Sequence, residues 1–387
     1  MKNKVVRITT IPLSLEKLLE GQLNFMSEFF EMTAVSSDKE RLNNYGKKEG
    51  IDVYHLEMTR KITPFKDFIA IMKFYKFLLT HKPQIVHSHT PKAGFISMIA
   101  SFLARVPIRL HTVAGLPLME AKGFKRIILN SVESLTYLCA TKIYANSIGL
   151  MEFILNERYT SSKKIDVIGK GSSNGINLSY FNYNIVKKSE KEELRKKYDI
   201  AENDFVFLYV GRIVGDKGIN ELVESFDFLS KNYLNSKLLL VGNLENHLDP
   251  IKENTEKLIC YNDKIICTGY QKDVRPFFAI SDVFVFPSYR EGFPNVVLQS
   301  CAMSIPVITT DINGCNEIIK DNFNDLIIPP KNLKKLRENM EVVINSPSKL
   351  SFFKSNTFKS IQHNFNQIDI WNLLKEEYRL NIEKIHK

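Results

Sequence analysis

The chain contains 387 residues, a length typical of two domains and conceivably three. Its composition is 44% hydrophobic and 25% charged, which is ordinary for a globular protein and excludes a disordered chain. The five cysteines form no Cys-x-x-Cys pair, which argues against a disulfide framework or a zinc site and favours a reducing cytoplasm. The first residues lead directly into a charged, strand-like segment, so we expect no secretory signal.

The formal net charge of +10 lies entirely in the first half of the chain. Residues 1–180 contain 25 Lys and Arg against 15 Asp and Glu, whereas residues 181–387 contain 28 of each sign. Such an excess suits nucleic acid, a membrane surface or an anionic substrate. The basic half contains no recognised nucleic-acid-binding module, so nucleic acid is disfavoured. Its longest uncharged apolar stretch, 93–104, is too short to span a bilayer, so membrane contact would be peripheral.

In the first half, short β-branched and aromatic runs alternate with longer amphipathic stretches, a pattern typical of βαβ units. The predicted strands are 5–11, 32–37, 52–58, 84–89, 108–114, 142–147 and 164–169. Residues 65–79 are predicted to form an amphipathic helix on which Lys66, Lys73 and Lys76 share one face. A solvated lysine face is the simpler interpretation, and contact with an anionic partner is the alternative.

A polar, charge-dense stretch at 182–204 interrupts this alternation, and we place a linker there. The alternation resumes with predicted strands at 205–211, 237–242, 264–270, 283–288, 306–311 and 325–330, and residues 333–387 are predicted to form two or three helices. The predicted domains are 1–181 and 205–365, each a doubly wound α/β fold, with a final helix at 366–387 that packs on the first domain. Two such domains predict a cleft between the carboxyl ends of their sheets.

The strongest local signal follows the first strand of the second domain, where Gly211 begins the segment GRIVGDKG. Arg212 and Lys217 stand there just before a helix predicted from about Ile219. Backbone N–H groups and the helix dipole favour anions at such a position, and the two cations suit a diphosphate. The segment lacks the Walker pattern, and neither half has G-x-G-x-x-G after its first strand, so P-loop and dinucleotide-binding functions are disfavoured. A structural turn with exposed cations is the alternative.

A second signal follows the strand at 283–288, in the segment SYREGFPNVVLQSCAM. Glu291 stands just before a buried helix for which Pro294 suits the first position. A carboxylate there can accept two sugar hydroxyl groups. Gln299 would lie about 12 Å away along a helix, the span from a sugar to the far side of a nucleotide. The simpler interpretations are a carboxylate stabilised by the helix dipole and a satisfied, partly buried amide.

Three histidines stand near the carboxyl ends of strands in the first domain. His87 and His89 alternate along one strand and so face the same side, with His111 on the next strand. Three histidines can bind a metal ion, but a buried, hydrogen-bonded structural role is preferred for His87. His89 and Lys92 are candidates for contact with an acceptor, and a simply exposed lysine is the alternative for Lys92.

Several motifs, in order, carry a family resemblance. They are PQIVHSHTPKAG at 83–94, LHTVAGLP at 110–117, NGINLSYF at 174–181, GRIVGDKG, EGFPNVVLQ and IPVITTDINGCNEII. Over nearly its whole length the chain resembles the retaining GT-B glycosyltransferases of family 4 (glycosyl transferases group 1). The HTPKAG, HTVAGLP and EGFPNVV versions resemble bacterial enzymes that extend lipid-diphosphate-linked sugars for capsule, O-antigen or glycoprotein glycans.

The resemblance implies a nucleotide-sugar site in the second domain. Arg212 and Lys217 match the cationic pair that holds the donor diphosphate, and Glu291 matches a glutamate that contacts the donor sugar. Gln299 replaces a ribose-contacting glutamate, so the charge is lost while hydrogen bonding remains. His111 matches a histidine near the reacting centre, which makes His111, Arg212, Lys217 and Glu291 the expected catalytic residues. The expected donor-binding residues are Gly211, Arg212, Lys217, Glu291, Gly292, Phe293, Pro294, Asn295 and Gln299.

The implied fold is GT-B, with two Rossmann-like domains facing a central cleft and C-terminal helices crossing back. The implied activity is retaining transfer of a sugar, with an N-acetylhexosamine favoured, from a UDP-sugar to an undecaprenyl-diphosphate-linked glycan. We expect a cytoplasmic enzyme, peripheral at the inner face of the membrane, whose basic half contacts the anionic surface. The chain contains no Asp-x-Asp sequence, so we expect no metal or other cofactor. The alternatives are a nucleotide-sugar epimerase of the same fold and a non-catalytic nucleotide-sugar-binding subunit.

Overall fold

The computed structural model describes residues 2–116, 118 and 121–386; Pro117, which ends the LHTVAGLP motif, lies outside them. The chain divides into two compact units, Met1–Asn174 with Gln367–Lys387, and Gly175–Asn366. Each unit has its own parallel sheet with helices between successive strands. The prediction of two doubly wound α/β domains is therefore confirmed.

The first unit is built on a seven-stranded parallel sheet. Its strands are β1 (Lys4–Ile8), β2 (Glu31–Ser36), β3 (Asp52–His55), β4 (Ile85–Ser88), β5 (Ile108–Val113), β6 (Lys142–Ala145) and β7 (Ile165–Val167). They lie in the order β3-β2-β1-β4-β5-β6-β7. Its first helices are α1 (Pro12–Leu18), α2 (Gln22–Ser27), α3 (Lys39–Glu49), α4 (Pro64–His81), α5 (Pro91–Leu103), α6 (Gly123–Cys139) and α7 (Ile148–Asn156).

The second unit is built on a six-stranded parallel sheet. Its strands are β8 (Phe205–Val210), β9 (Ser236–Val241), β10 (Ile265–Gly269), β11 (Val283–Phe286), β12 (Val307–Thr310) and β13 (Leu326–Ile328). They lie in the order β10-β9-β8-β11-β12-β13. Its helices are α8 (Lys188–Lys197), α9 (Ile219–Ser230), α10 (Glu253–Tyr261), α11 (Arg275–Ala279), α12 (Asn295–Ala302), α13 (Cys315–Ile318), α14 (Leu333–Asn345) and α15 (Pro347–Gln362).

All thirteen predicted strands are present, and none starts more than one residue outside its predicted segment. β8 and β11 are buried almost throughout, as expected for parallel strands covered by helices on both faces. Several predictions extend too far at the carboxyl end. β1, for example, ends at Ile8 because the β-branched Thr9 and Thr10 belong to the loop that follows it.

The predicted linker at 182–204 is wrong, because this segment belongs to the second unit and contains α8. Arg195 on this helix donates a hydrogen bond to the carbonyl oxygen of Ile280 at 2.9 Å, and Ile200 is buried in the core of the second unit. No residue of α8 itself is buried. The density of charge therefore marks a surface helix, and the boundary between the units lies earlier, after Asn174.

The last helix, α16 (Gln367–His386), belongs to the first unit although 192 residues separate it from the rest of that unit. Trp371 Nε1 donates to Asn174 Oδ1 at 2.7 Å, and its ring centroid lies 5.2 Å from that of Phe25. Tyr378 is fully buried and accepts a hydrogen bond from Arg7 at 2.8 Å. The helix thereby completes the core beneath β1.

Charge is divided unevenly between the units. The first contains 29 Lys and Arg against 19 Asp and Glu, whereas the second contains 24 of each sign. The whole excess of positive charge therefore belongs to the first unit. Among the described residues, no helix combines the length and the hydropathy that crossing a membrane requires.

Replacing Trp371 by alanine is expected to lower the free energy of unfolding of the first unit by about 3–5 kcal/mol, because a large buried ring is removed. The control Trp371→Phe keeps the aromatic contact with Phe25 and loses the hydrogen bond to Asn174, so it should cost about 1 kcal/mol. Urea unfolding followed by far-ultraviolet circular dichroism measures both values. Equally small losses would show that α16 adds little to this core.

Candidate functional site

The sheet of the second unit has a switch point between β8 and β11, the neighbouring strands from which the chain departs towards opposite edges. The segment 211–218 follows β8, and the segment 287–294 follows β11. Ligands of doubly wound sheets bind outside the carboxyl ends of the strands at such a point. The two predicted motifs therefore lie where the topology favours a binding site.

An ion pair joins the two segments. Lys217 Nζ lies 2.5 Å from Glu291 Oε1, and the two side chains are only 14% and 17% exposed. The buried hydroxyl of Ser288 donates to the same oxygen at 2.9 Å. No described residue donates a hydrogen bond to the other carboxylate oxygen of Glu291, so that oxygen can accept one from a ligand hydroxyl.

Two more contacts hold the same segments together, and a third joins the second segment to α9. Arg290 lies 3.3 Å from Asp216 in a second ion pair. The backbone N–H of Tyr289 donates to the carbonyl oxygen of Asp216 at 2.9 Å, and its hydroxyl donates to Glu221 at 2.7 Å. The site is therefore supported by surrounding hydrogen bonds, as a binding geometry requires.

Two glycines allow the backbone around the site to approach closely. Gly218 begins α9 with φ +71°, and a Cβ there would lie 2.1 Å from the carbonyl oxygen of Pro287. A Cβ on Gly242 would lie 1.8 Å from the carbonyl oxygen of Gly211. A larger residue at position 218 would push apart the segments that carry Lys217 and Glu291, and one at position 242 would push the loop after β9 away from the segment that carries Lys217.

Arg212 and Gln299 are less constrained than the ion pair. The Arg212 side chain is 46% exposed, and its guanidinium lies 4.0 Å from Glu245. Gln299 is half-buried on α12, and its side chain has no hydrogen-bond partner among the described residues. The predicted helical separation of Glu291 and Gln299 is wrong, because Glu291 lies in the loop and the helix begins only at Asn295.

Helix α12 begins one residue later than predicted, with Pro294 as its N-cap. No side chain caps this end of the helix, and the Val297 N–H donates to the Pro294 carbonyl oxygen at 3.0 Å, so the N–H groups of Asn295 and Val296 remain available to an acceptor. The preceding Phe293 is buried, and its ring centroid lies 5.4 Å from that of Phe365. This packing fixes the backbone between Glu291 and the helix.

His111 lies on β5 of the first unit and is buried. The hydroxyl of Ser88 lies 2.8 Å from its Nδ1, and a Cβ on Gly94 would lie 2.4 Å from its Cε1. The glycine of the HTPKAG motif thus leaves room for the histidine of the HTVAGLP motif. Burial lowers the pKa of His111 to about 4, so the imidazole is neutral at pH 7.

His87 has the structural role that the sequence predicts. Its Nε2 lies 2.7 Å from the Thr112 hydroxyl, and Arg7 donates to its Nδ1 at 2.5 Å. Because both ring nitrogens are engaged, His87 is unsuited to bind a metal. In the part of the chain that the structure describes, no group of three or more His, Cys, Asp or Glu side chains is placed to hold a metal ion. The three-histidine alternative therefore finds no support.

The two candidate acceptor residues are enclosed within the first unit. His89 is buried, and neither of its ring nitrogens has a hydrogen-bond partner among the described residues. Lys92 Nζ lies 2.5 Å from Asp67 Oδ2, and the two side chains are 13% and 10% exposed. The charge of Lys92 is therefore already balanced by a carboxylate of α4.

Sequence reasoning missed Ser288, Asp216 and Gly242. Ser288 and Gly242 follow β11 and β9 closely, and serine or glycine at the carboxyl end of a parallel strand was the available signal. Nothing local in the sequence marks Asp216 as the partner of Arg290.

A buried carboxyl group lies one helical turn from Tyr137, whose ring packs against His111. The ring centroid of Tyr137 lies 6.0 Å from that of His111, and Glu133 stands one helical turn before Tyr137 on α6. Glu133 is 4% exposed. Burial raises its pKa to about 7, and the Tyr137 hydroxyl offsets only part of that rise.

Comparison with known proteins adds family matches to both units. Residues 190–360 match the family described as "Glycosyl transferases group 1". Residues 25–171 match the family described as "Glycosyl transferase 4-like domain". One family therefore matches each half of the chain.

Three relatives match most of the chain. A capsular polysaccharide biosynthesis glycosyltransferase of Staphylococcus aureus, CapM, is 35% identical over 382 residues, 98% of this chain and 97% of the relative. The Escherichia coli UDP-Gal:alpha-D-GlcNAc-diphosphoundecaprenol alpha-1,3-galactosyltransferase is 27% identical and covers 91% and 89% of the two chains. The Campylobacter jejuni N,N'-diacetylbacillosaminyl-diphospho-undecaprenol alpha-1,3-N-acetylgalactosaminyltransferase is 28% identical and covers 82% and 84%.

A solved structure confirms the fold. The Anabaena protein HepE in complex with UDP superposes with a TM-score of 0.81 at 17% identity, covering 98% of this chain and 100% of that one. At this identity the likeness concerns the GT-B fold alone.

We expect Glu133→Gln to raise the free energy of unfolding by about 3 kcal/mol at pH 8, because the native carboxyl resists ionisation that the unfolded chain permits. The gain should shrink as the pH falls from 7 to 4.5, and it should vanish below, where the carboxyl is protonated in both states. Denaturant unfolding across this range measures it. The exposed Glu152→Gln is the control, and an equal, pH-independent gain in both variants would contradict the assignment.

Proposed function

We propose that this protein extends a lipid-diphosphate-linked glycan. The chain belongs to the glycosyl transferases group 1 family and is a glycosyltransferase of surface glycan synthesis. The donor is a UDP-sugar, with an N-acetylhexosamine favoured, and the sugar keeps its anomeric configuration. The reaction takes place at the cytoplasmic face of the membrane. The observation that carries this proposal is the Lys217–Glu291 pair at the switch point of the second unit.

The donor diphosphate binds at Lys217 and Arg212. An ammonium group has three hydrogens, so Lys217 can hold Glu291 and a phosphate oxygen together. Arg212, exposed and only loosely paired, can turn its guanidinium towards the second phosphate. Departure of the nucleotide develops negative charge on the phosphate, and these two cations stabilise it.

The donor sugar binds at Glu291. Lys217 and Ser288 both contact Oε1, so Oε2 remains to accept a sugar hydroxyl. Gln299 on α12 serves the ribose, where its amide can both accept and donate a hydrogen bond. The UDP bound in the HepE structure and the acceptors named for the Escherichia coli and Campylobacter jejuni relatives support this choice of donor and acceptor class.

His111 acts as a neutral hydrogen-bonding group near the reacting centre. Its pKa of about 4 keeps the imidazole uncharged at neutral pH, so it does not supply a cation to the departing phosphate. Hydrogen bonding from a fixed neutral group can still orient a sugar. The ring is held for this by Ser88 and by its packing on Gly94.

Retention is explained by a displacement in which the acceptor hydroxyl oxygen bonds to the anomeric carbon on the face from which the diphosphate departs. The bond between the anomeric carbon and the phosphate oxygen breaks, and the departing phosphate oxygen takes up the hydroxyl proton. Glu291 is engaged with Lys217 and is assigned to the sugar hydroxyls, and the sequence offers no candidate for a nucleophilic carboxylate. We also propose that no metal is required. The support is that Arg212 and Lys217 supply positive charge and that the chain contains no Asp-x-Asp sequence.

Transfer assays with labelled UDP-sugars and a polyprenyl-diphosphate-linked sugar test the proposal. We expect an extended lipid-linked product with one donor, formed equally in the presence of a metal chelator. Failure of transfer with every donor by the folded protein would refute it. A product from UDP-sugar alone would select the epimerase, and UDP binding without turnover would select the non-catalytic subunit.

Removing either partner of the ion pair should abolish most activity. Lys217→Ala and Glu291→Gln are expected to lower kcat/KM at least 100-fold, or about 2.7 kcal/mol of transition-state stabilisation, while the fold is retained. The control is Lys231→Ala, which breaks an exposed ion pair with Asp227 in the same unit. Transfer rates of the three variants test whether Lys217 and Glu291 belong to the site. A near wild-type rate for either site variant would remove that residue from the site.

Ser288 should act by positioning Glu291. Ser288→Ala is expected to lower kcat about tenfold, because one hydrogen bond that orients the carboxylate is lost. Affinity for UDP without a sugar should stay within about twofold, since Ser288 contacts no group assigned to the nucleotide. A variant that loses UDP affinity and kcat in equal measure would instead show a general disturbance of the β11 loop.

A further inference from the structure

Helix α4 carries apolar side chains on two opposite faces. One face is buried in the core of the first unit and consists of Ala70, Ile71, Phe74 and Leu78. The other follows the same helical spacing on the outside and consists of Phe65, Phe68, Ile69, Met72 and Leu79. The exposure of this outer stripe ranges from 37% at Met72 to 77% at Phe65. Monomeric soluble proteins rarely leave such a stripe uncovered.

Helix α6 repeats this arrangement. Its exposed apolar residues are Phe124, Ile127, Leu135 and Leu138, of which Phe124 is 76% exposed. Helix α5 packs against both α4 and α6, so the three helices form one layer on the sheet. We call the outer surface of α4 and α6 the α4–α6 face.

The α4–α6 face carries an excess of positive charge. Its cations are Lys66, Lys73, Lys76, Lys122, Lys125 and Arg126. One of these cations, Arg126, is paired with Glu157 at the end of α7, and the exposed Glu57 precedes α4. The only carboxyl groups of the two helices, Asp67 and Glu133, are turned inward and are 7% and 4% exposed. Asp67 is further neutralised by Lys92. The face therefore matches an anionic surface with an apolar interior.

Two of the exposed aromatic residues lie near the carboxyl edge of the sheet of the first unit. α4 follows β3 and α6 follows β5, so both helices begin at the carboxyl edge of the parallel sheet. Phe65 and Phe124 lie in the first turns of these helices. Beside Lys66 and Lys73, a cavity of about 280 Å³ lies between α4 and the preceding segment, with Met58 in its lining. The lining combines the two lysines and an apolar wall with the carboxylates of Glu57 and Asp67, the second of which is paired with Lys92.

We propose that the α4–α6 face binds directly to an anionic bilayer, with Phe65, Phe68 and Phe124 entering the boundary of the hydrocarbon and the lysines resting on lipid phosphates. This mode of binding is typical of amphipathic helices that lie in the interface. It deepens the proposed function, because it places a membrane-borne acceptor beside the carboxyl edge of the first unit. A purely electrostatic contact would not require exposed aromatic side chains.

Vesicle co-sedimentation tests the proposal with the full chain. The vesicles consist of phosphatidylcholine alone or with about 30 mol% phosphatidylglycerol. We expect binding to the anionic vesicles, weakened by salt. The triple variant F65S/F68S/F124S should bind at least tenfold more weakly, and so should K66Q/K73Q/K76Q. The control Y261S/L234S removes two equally exposed apolar residues from the electrically balanced second unit and should bind like the wild type.

Two further measurements make the result decisive. Far-ultraviolet circular dichroism and thermal melting confirm that the variants are folded. The aromatic variant should transfer sugar at the wild-type rate to a short-chain, water-soluble acceptor and at least tenfold more slowly to a vesicle-embedded one. If the wild type transfers to neither acceptor, the proposed function fails. Vesicle binding still tests whether the α4–α6 face binds an anionic bilayer.

Three results would overturn the proposal. The first is wild-type binding that does not depend on anionic lipid or salt. The second is an aromatic variant that binds vesicles as well as the wild type. The third is a wild-type dimer that the aromatic variant dissociates, since a second copy of the chain would then cover this face.

Discussion

The proposed donor site depends on the ion pair between Lys217 and Glu291. A nearly buried ion pair loses most of its hydration, and the mutual attraction repays that loss only when the geometry is good and further hydrogen bonds are present. Ser288 supplies such a bond, and the backbone link between Tyr289 and Asp216 holds the two segments in register. Because either charge left alone would be costly, the pair keeps both side chains in place before any ligand arrives.

The backbone beneath this pair has little freedom. Gly218 lies against Pro287, and Gly242 lies against Gly211, at distances that no side chain would tolerate. These contacts join the loops after three neighbouring strands, β9, β8 and β11. The glycine-rich character of the segment after β8 thus reflects close packing of loops, and Lys217 on this segment is held in a fixed position. A diphosphate bound there would meet in Lys217 a cation that need not reorganise.

The sequence was sufficient to predict the strands but not the side-chain contacts between distant segments. Buried parallel strands have a short apolar pattern that can be recognised locally, and all thirteen were located in this way. Lys217 and Glu291 were each singled out from their own loops, but their contact spans 74 residues and depends on the strand order. Lys92 looked like a free cation because its partner, Asp67, lies on another helix. The charged stretch at 182–204 resembled a linker, since a surface helix with no buried residue shows no apolar pattern strong enough to identify it.

Calorimetric titration with UDP and with the accepted UDP-sugar tests the central assignment most directly. Lys217→Met should weaken the binding of both ligands at least tenfold, because the cation assigned to the diphosphate is lost. Glu291→Gln should leave the affinity for UDP within about threefold and remove the additional affinity that the sugar provides, since Glu291 is assigned to the sugar alone. Equal affinity of the wild type and Lys217→Met for UDP would contradict the account, as would a loss of UDP binding in Glu291→Gln as large as in Lys217→Met.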